Sequence, residues 1–496
     1  MILNLAAYLF IGFYTLVMLF VSLYSLFQFH LLLKYQKSKK KKEGNSPIAS
    51  ELNSNLPLVT IQLPVYNEQF VVERLIDNIL KLHYPSEKLQ IQILDDSTDR
   101  TCEVCLNKVE ECENKGYNIQ LIHRKHRDGY KAGALRNGLQ AATGEFIAIF
   151  DADFLPGPDF LTKTLPYFMD PEVGVVQTRW EHINEHYSLI TKLQAFQLNV
   201  HFTIEQAGRQ GGNYLLQFNG TAGVWRKKTI EDAGGWSGDT LTEDLDLSYR
   251  AQLKGWKIKY NQDILSPAEL PSEIHGFKSQ QFRWMKGGAE NARKFIPAII
   301  RSDLPILKKL HAATHLLSSS IFVLIFVLAV LSVPLLFIMS AFKLNASIYW
   351  IFMFGIIIAA CVYYIGNQDT AWAGQPLYRK LLNFAIYFPL FLCLSMGLSL
   401  HNSIAVIQGY RNHKSVFVRT PKFNIQQIQD SFRKGMYEAR RLSGITIIEG
   451  LLALYFLMAL IIDFQIGKMS FVAYHLMLIV GFGSIFIYSV RHLSYN

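Results

Sequence analysis

The sequence predicts an α/β nucleotide-binding domain inserted into a multi-pass bundle of transmembrane helices. Half of its 496 residues are apolar and 13% are aromatic, which is the composition of an integral membrane protein. Several apolar runs reach the roughly 20 residues needed to cross a hydrocarbon core. Between the first run and the others lies one hydrophilic block, residues 57–300, in which strand-like and helix-like segments alternate.

The first apolar run covers residues 6–28, within an N-terminal segment 1–36. It is too long for a cleaved signal peptide and lacks both a basic leader and a small-residue cleavage site, so it reads as a membrane helix. Lys37 and Lys39–Lys42 follow as a stop signal and open a basic linker, 37–56. Positive charge stays on the cytoplasmic side, which puts the N-terminus outside and the hydrophilic block in the cytosol. The net charge of +10 is then membrane-flank charge that touches anionic lipid; it does not imply nucleic acid. Five cysteines (Cys102, Cys105, Cys112, Cys361, Cys393) suit a reducing compartment. Cys102 and Cys105 form a C-x-x-C, but no second pair or histidine follows at zinc spacing, so the pair reads as a coincidence on one helix face.

The block opens with the β-branched strand Leu58–Leu63 and the turn Pro64–Glu68. A helical pattern follows (Val71, Val72, Leu75, Ile76, Ile79, Leu80), then the strand Ile91–Leu94, which makes a βαβ unit with a right-handed crossover. The strand Asn118–Ile122, a basic loop from His123 to Lys131, a helix Ala132–Ala142 and the strand Phe146–Phe150 continue the alternation. No G-x-x-x-x-G-K-[ST] or G-x-G-x-x-G occurs, which speaks against P-loop and dinucleotide chemistry. Acids end two strands, as Asp95-Asp96 and Asp151-Ala152-Asp153. Buried acids are costly unless they meet a cation or ligand, and strand ends are where α/β sheets bind ligands. With Thr242-Glu243-Asp244 and Gln280-Gln281-Phe282-Arg283-Trp284 further on, the pattern suggests metal-assisted transfer from a diphosphate-linked donor at a membrane face.

Seven elements come in one order: Pro64-Val65-Tyr66-Asn67-Glu68, Leu94-Asp95-Asp96-Ser97-Thr98-Asp99, Gly129-Tyr130-Lys131-Ala132-Gly133-Ala134-Leu135, Phe150-Asp151-Ala152-Asp153, Phe218–Arg226, Thr242-Glu243-Asp244 and Gln280-x-x-Arg283-Trp284. This order resembles the membrane-embedded family 2 glycosyltransferases of the cellulose synthase superfamily. Within it the chain is most similar to the cellulose-synthase-like glucomannan 4-beta-mannosyltransferases and related beta-glucan synthases. The resemblance implies a GT-A-type domain over 57–300, and a nucleotide base and ribose at Asp95 and Asp96, with Tyr66 and Glu68 in the same pocket. Phe417-Val418-Arg419-Thr420-Pro421-Lys422 is similar to the family's F-x-V-T-x-K gating loop; Phe417, Thr420 and Lys422 match, whereas Arg419 stands in place of the valine.

Each remaining residue takes a role from its chemistry. A divalent cation, Mg²⁺ or Mn²⁺, neutralises a departing diphosphate, and Asp153 with Asp151 beside it is the candidate ligand pair. Lys131, after a flexible glycine, reaches the diphosphate as a point charge, and Arg283 matches phosphate bidentately. Asp244 is the candidate general base, since Leu241, Leu245 and Leu247 suggest a partly buried carboxyl with a raised pKa; Glu243 and Asp246 are alternatives. Trp284 offers a face on which an acceptor sugar stacks, with Gln280 one turn away, while Asn219-Gly220-Thr221 shapes the acceptor side. The sequence shows no separate nucleophile, which implies inversion.

These readings predict transfer of a hexose from UDP-glucose or GDP-mannose to a growing β-linked polysaccharide, coupled to export. A single transfer onto a membrane lipid, of ceramide or diacylglycerol type, is the alternative; a binding protein without activity is a third reading, disfavoured by the intact acid set. Later apolar runs cover 313–340, 346–366, 381–405, 445–463 and 470–490, giving membrane or interface helices over 301–408 and a C-terminal pair over 444–496. Residues 409–443 carry eight Lys/Arg and belong inside, as a gating-like loop and interface helix, yet three runs separate them from the cytosolic block. One run must therefore fall short, and 381–405, with Pro389 and a polar end, is the expected one. The cysteine-rich and variable insertions of plant cellulose synthases are missing, so a bacterial plasma membrane is expected, with a Golgi membrane as the alternative.

Overall fold

The computed structural model describes residues 2–41, 56–344, 349, 352–415, 417–425, 442–467 and 469–493. The linker 42–55 and, in the basic 409–443 segment, Arg433, Lys434, Arg440, Arg441 and the expected interface helix lie outside the described residues.

A seven-stranded sheet forms the centre of the hydrophilic block: β1 Val59–Val65, β2 Leu89–Asp95, β3 Ile119–His123, β4 Phe146–Ile149, β5 Val173–His182, β6 Gly223–Arg226 and β7 Lys257–Ala268. Their order is β3-β2-β1-β4-β6-β5-β7, with β6 antiparallel to both its neighbours and the other pairings parallel. Strands β1, β2 and β4 are buried along nearly their whole length because helices cover both faces, the condition for a parallel sheet; Thr60 and Gln62 of β1 donate there to Gln90 and Gln92 of β2. One face packs on the helices Val72–Ile79 and Thr101–Asn114. The other packs on Tyr130–Ala141, on Leu189–Val200 and on the inner end of the N-terminal helix, through Leu31, Leu32 and Tyr35. That helix, Ile2–Lys41, has 40 residues and spans about 60 Å, twice the hydrocarbon thickness, so one rigid element joins membrane and domain.

Five helices among the described residues are long and apolar enough to cross a membrane: Asn4–Lys40, Ser318–Ala341, Leu377–Gly397, Gly444–Ile466 and Met469–Arg491. The run expected to fall short, 381–405, is divided between two helices, the first of them long and apolar enough to cross. Leu377–Gly397 is an uninterrupted helix of 21 residues with Pro389 inside it, and membrane helices tolerate an internal proline. Its polar end belongs to a separate helix, Ser399–Tyr410. The shorter apolar helix is Met353–Gln368, of 16 residues. Among the described residues, two helices long and apolar enough to cross and the shorter apolar Met353–Gln368 thus lie between the sheet domain and residues 417–425.

Candidate active site

The strand register sets the site. Parallel pairing makes Asp95 the partner of Val65 on β1 and His123 on β3. Side chains alternate along a strand, so Asp95 and Asp96 turn to opposite faces. Asp96 lines a cleft at the strand ends, where both its oxygens accept from Arg124, at 2.7 Å from Nε and 2.5 Å from Nη2. Asp95 does not line the cleft. It is fully buried, its Oδ1 accepts from the Ser97 amide (3.0 Å), and its Oδ2 lies 2.6 Å from His123 Nδ1. Asp95, expected at the donor with Asp96, thus points away from the cleft, because the strand's two-residue period sends it to the other face.

Beside Asp96, the Arg127 guanidinium lies 3.4 Å above the centre of the Tyr66 ring. Asp151 follows β4, and its amide donates to Thr221 Oγ1 (2.8 Å). Thr221 thus braces this turn from below and does not line the cleft. Lys131, in the first turn of Tyr130–Ala141, donates to Asp151 Oδ1 and to the Gly220 carbonyl (2.9 Å). Burial raises the Asp151 carboxyl, while Lys131 pulls it down. Asp153 Oδ2 accepts from Lys422 Nζ at 2.6 Å. A side-chain ammonium thus already occupies a cation's place on that carboxylate. The donor set is also all oxygen, so the pair Asp151 and Asp153 fits a hard divalent cation.

Glu243 and Asp244 occupy the first turn of the helix Glu243–Leu253 and face Lys131, whose Nζ is 4.0 Å from Glu243 Oε1. Gly220 has φ +81°, and a Cβ there would lie 3.2 Å from Asp244 Oδ2, so only glycine suits both backbone and space. Burial, and then repulsion from Glu243, push the Asp244 carboxyl up to about 7. That is the range in which a carboxylate accepts protons efficiently near neutrality. The alternative base Asp246 is fully buried and paired with Arg250 (2.6 Å) and Lys294 (2.5 Å), outside the cleft. Asn219 lines the cleft, and its Oδ1 accepts from Gln217 Nε2 (2.6 Å).

Gln280, Arg283 and Trp284 share one face of the long helix Ile274–Arg301 and all line the cleft. Arg283 donates to Thr420 Oγ1 (2.9 Å) and the Val418 carbonyl, and its guanidinium lies 4.8 Å over the Phe417 ring. Burial lowers it to about 10, so it stays charged near neutral pH. Residues 417–425 close over the cleft. Phe417 stacks on Tyr130 with ring centres 5.5 Å apart, and the Phe423 amide donates to Glu269 Oε1 (2.9 Å). Arg419, the departure from the loop pattern, pairs with Glu68 at 2.9 Å. Burial pushes the Glu68 carboxyl up to about 8, and Arg419 opposes this.

The cleft has a volume of about 220 Å³ and brings together every nominated site residue except Asp95, Thr221 and the alternative base Asp246. Asp96, Asp153, Asp244 and Trp284 share it, although they come from four separate elements. Sequence reasoning missed Arg124, Arg127, Glu269, Trp180 and His182. Both arginines lie in the basic loop from which only Lys131 was singled out, and their clustered charge was the signal. Glu269 is a lone acid just after β7 and carries no pattern of its own.

Residues 57–287 match the model of the "Glycosyltransferase like family 2" domain. Glucomannan 4-beta-mannosyltransferase 2 of Arabidopsis thaliana is 43% identical over 257 residues, 50% of this chain and 48% of its own. Glucomannan 4-beta-mannosyltransferase 1 of Oryza sativa subsp. japonica is 42% identical over 264 residues, 52% of this chain and 51% of its own. The chain spans about half the length of these curated relatives. Both are plant proteins, so they lend the expected bacterial membrane no support. Among solved structures, a mannosyltransferase from Pyrobaculum calidifontis, in complex with GDP-Man and Mn²⁺, shares the fold (TM-score 0.51, 19% identity, 79% of this chain and 100% of its own). Residues 57–287 thus carry a family 2 glycosyltransferase-like domain, and about half of the chain is similar to plant glucomannan 4-beta-mannosyltransferases.

Proposed function

We propose that this chain transfers a hexose from a nucleotide-diphosphate sugar to a hydroxyl of a β-linked glycan, with inversion at the anomeric carbon. The convergence of Asp96, Asp153, Asp244 and Trp284 in one cleft carries this reading. Tyr66, Glu68 and Asp96 form the nucleoside end, and Lys131 and Arg283 face the diphosphate. A Mg²⁺ or Mn²⁺ ion held by Asp153 and Asp151 would neutralise diphosphate charge as a Lewis acid. Asp244 takes the proton of the attacking hydroxyl, at its N-terminal helix turn across from Gly220. Trp284, Gln280, Glu243 and Asn219 bind and orient the acceptor sugar.

The similarity to glucomannan 4-beta-mannosyltransferases favours a mannosyl donor such as GDP-mannose over UDP-glucose. A gating role for Phe417, Thr420 and Lys422 is supported by the loop's position over the cleft. Basic residues near Lys37 and between Arg411 and Lys422 favour a cytosolic catalytic domain at the inner face of a membrane. Export of the product through the bundle would spare its hydroxyls contact with lipid. The test is purified full-length protein with labelled GDP-mannose or UDP-glucose and Mn²⁺ or Mg²⁺, the product being digested with linkage-specific hydrolases. A β-linked polymer is expected; a single sugar on a lipid, or no donor turnover, overturns the reading.

A further inference from the structure

Cys102, the first cysteine of the C-x-x-C, meets a histidine in the fold. The β2–β3 register makes Asp95 and His123 direct partners on the sheet face turned from the cleft. The helix Thr101–Asn114 begins beside them, and its first turn carries Cys102. His123 Nδ1 lies 2.6 Å from Asp95 Oδ2 and 3.7 Å from Cys102 Sγ, and the three ligand atoms all fall within 4.8 Å of one another. The Ser97 amide holds Asp95 Oδ1 at 3.0 Å, so Oδ2 is the oxygen turned toward the sulfur and nitrogen. The His123 side chain is 39% exposed, which leaves a path from solvent. Cys105, one turn on, is fully buried and outside the cluster.

We infer that Asp95, Cys102 and His123 form a binding site for a thiophilic divalent cation of the zinc class, separate from the all-oxygen pair Asp151 and Asp153. Tetrahedral coordination, with about 2.0 Å to nitrogen and oxygen and 2.3 Å to sulfur, puts ligand atoms roughly 3.3–3.7 Å apart, so the side chains need shift by only about 1 Å. A thiolate ligand selects against Mg²⁺ and Mn²⁺. Thiolate and carboxylate together neutralise the dication, which suits a half-buried position. On binding, the Cys102 thiol proton leaves to solvent, His123 coordinates through Nδ1 with its proton on Nε2, and water fills the fourth position. The next residues along the two strands are Asp96 and Arg124, the ion pair on the cleft wall, so the cation clamps the strand ends that carry this pair.

Full-length protein in detergent, titrated with Co²⁺ alone, tests the site. One equivalent is expected to bring up a thiolate-to-cobalt charge-transfer band with intense tetrahedral visible bands; Co²⁺ on Asp151 and Asp153 has no sulfur ligand and yields no such band. Zn²⁺ should bleach the band and excess Mg²⁺ should not. Cys102→Ser should abolish it and Cys105→Ser should keep it. His123→Gln, which leaves the thiol in place, should weaken cobalt binding by at least the roughly tenfold that even an outer-sphere partner costs. No band in the native protein, a band that survives Cys102→Ser, or cobalt affinity unmoved by His123→Gln overturns the site.

Discussion

Replacing Asp244 with asparagine removes the proposed base while preserving shape and most hydrogen bonding. A positioned base contributes ~10²–10⁴-fold to rate, so kcat should fall by about that factor, or roughly 3–5 kcal/mol of barrier. Nucleotide binding should persist, because Asp244 lies beside Gly220 and not at the Tyr66–Asp96 end. The pH profile separates a base from a prop. Burial and Glu243 raise the native Asp244 carboxyl to about 7, so wild-type kcat/KM should climb with pH through about 7 and level off above it. The asparagine variant should lose that limb, and Glu243→Gln, which removes the repulsion, should move it toward acid. Stability carries the opposite sign. A carboxyl whose native pKa is raised contributes stability below its ordinary value and loses it as pH climbs through the raised one. Asp244→Asn should therefore melt at a higher temperature than wild type above about pH 7. Turnover assays with labelled donor and thermal unfolding in detergent give both readouts. A variant that keeps more than about a tenth of wild-type turnover, or that keeps the pH limb, refutes the assignment.

Gly220→Ala should lower turnover without loss of donor binding, since its Cβ would press on Asp244 Oδ2 at 3.2 Å and its φ of +81° costs ~1–2 kcal/mol for an L residue. Lys422→Gln should tighten Mn²⁺ binding to donor-free protein by about ten- to a hundredfold in calorimetry, because the ammonium 2.6 Å from Asp153 no longer competes and a charged hydrogen bond is worth ~1.5–3 kcal/mol. Glu449→Leu should destabilise the protein by about 3–5 kcal/mol in thermal unfolding. It leaves Lys278, whose Nζ sits 2.8 Å from Glu449, buried and unpaired where the helix bearing Arg283 and Trp284 meets the bundle.

The order of the elements, the alternation of strands and helices and the acids at strand ends were legible because they rest on local periodicity and on residue chemistry. Asp96, Asp153 and Asp244 stood out as acids that are costly to bury without a ligand, and Trp284 through the Gln280-x-x-Arg283-Trp284 element; the fold gathers all four at one cleft. What stayed hidden depends on which face or which distant segment a residue meets. Asp95 and Asp96 read alike until strand pairing turns them apart. The helix continues through Pro389, a residue that reads in sequence as a break but that membrane helices tolerate. Arg419 reaches Glu68 and Lys422 reaches Asp153 from a loop hundreds of residues downstream. Cys102 and His123 meet only because β3 pairs in register with β2. Local sequence determined which groups were available; long-range pairing decided which of them face one another, since contact energies act through space and leave no periodic trace along the chain.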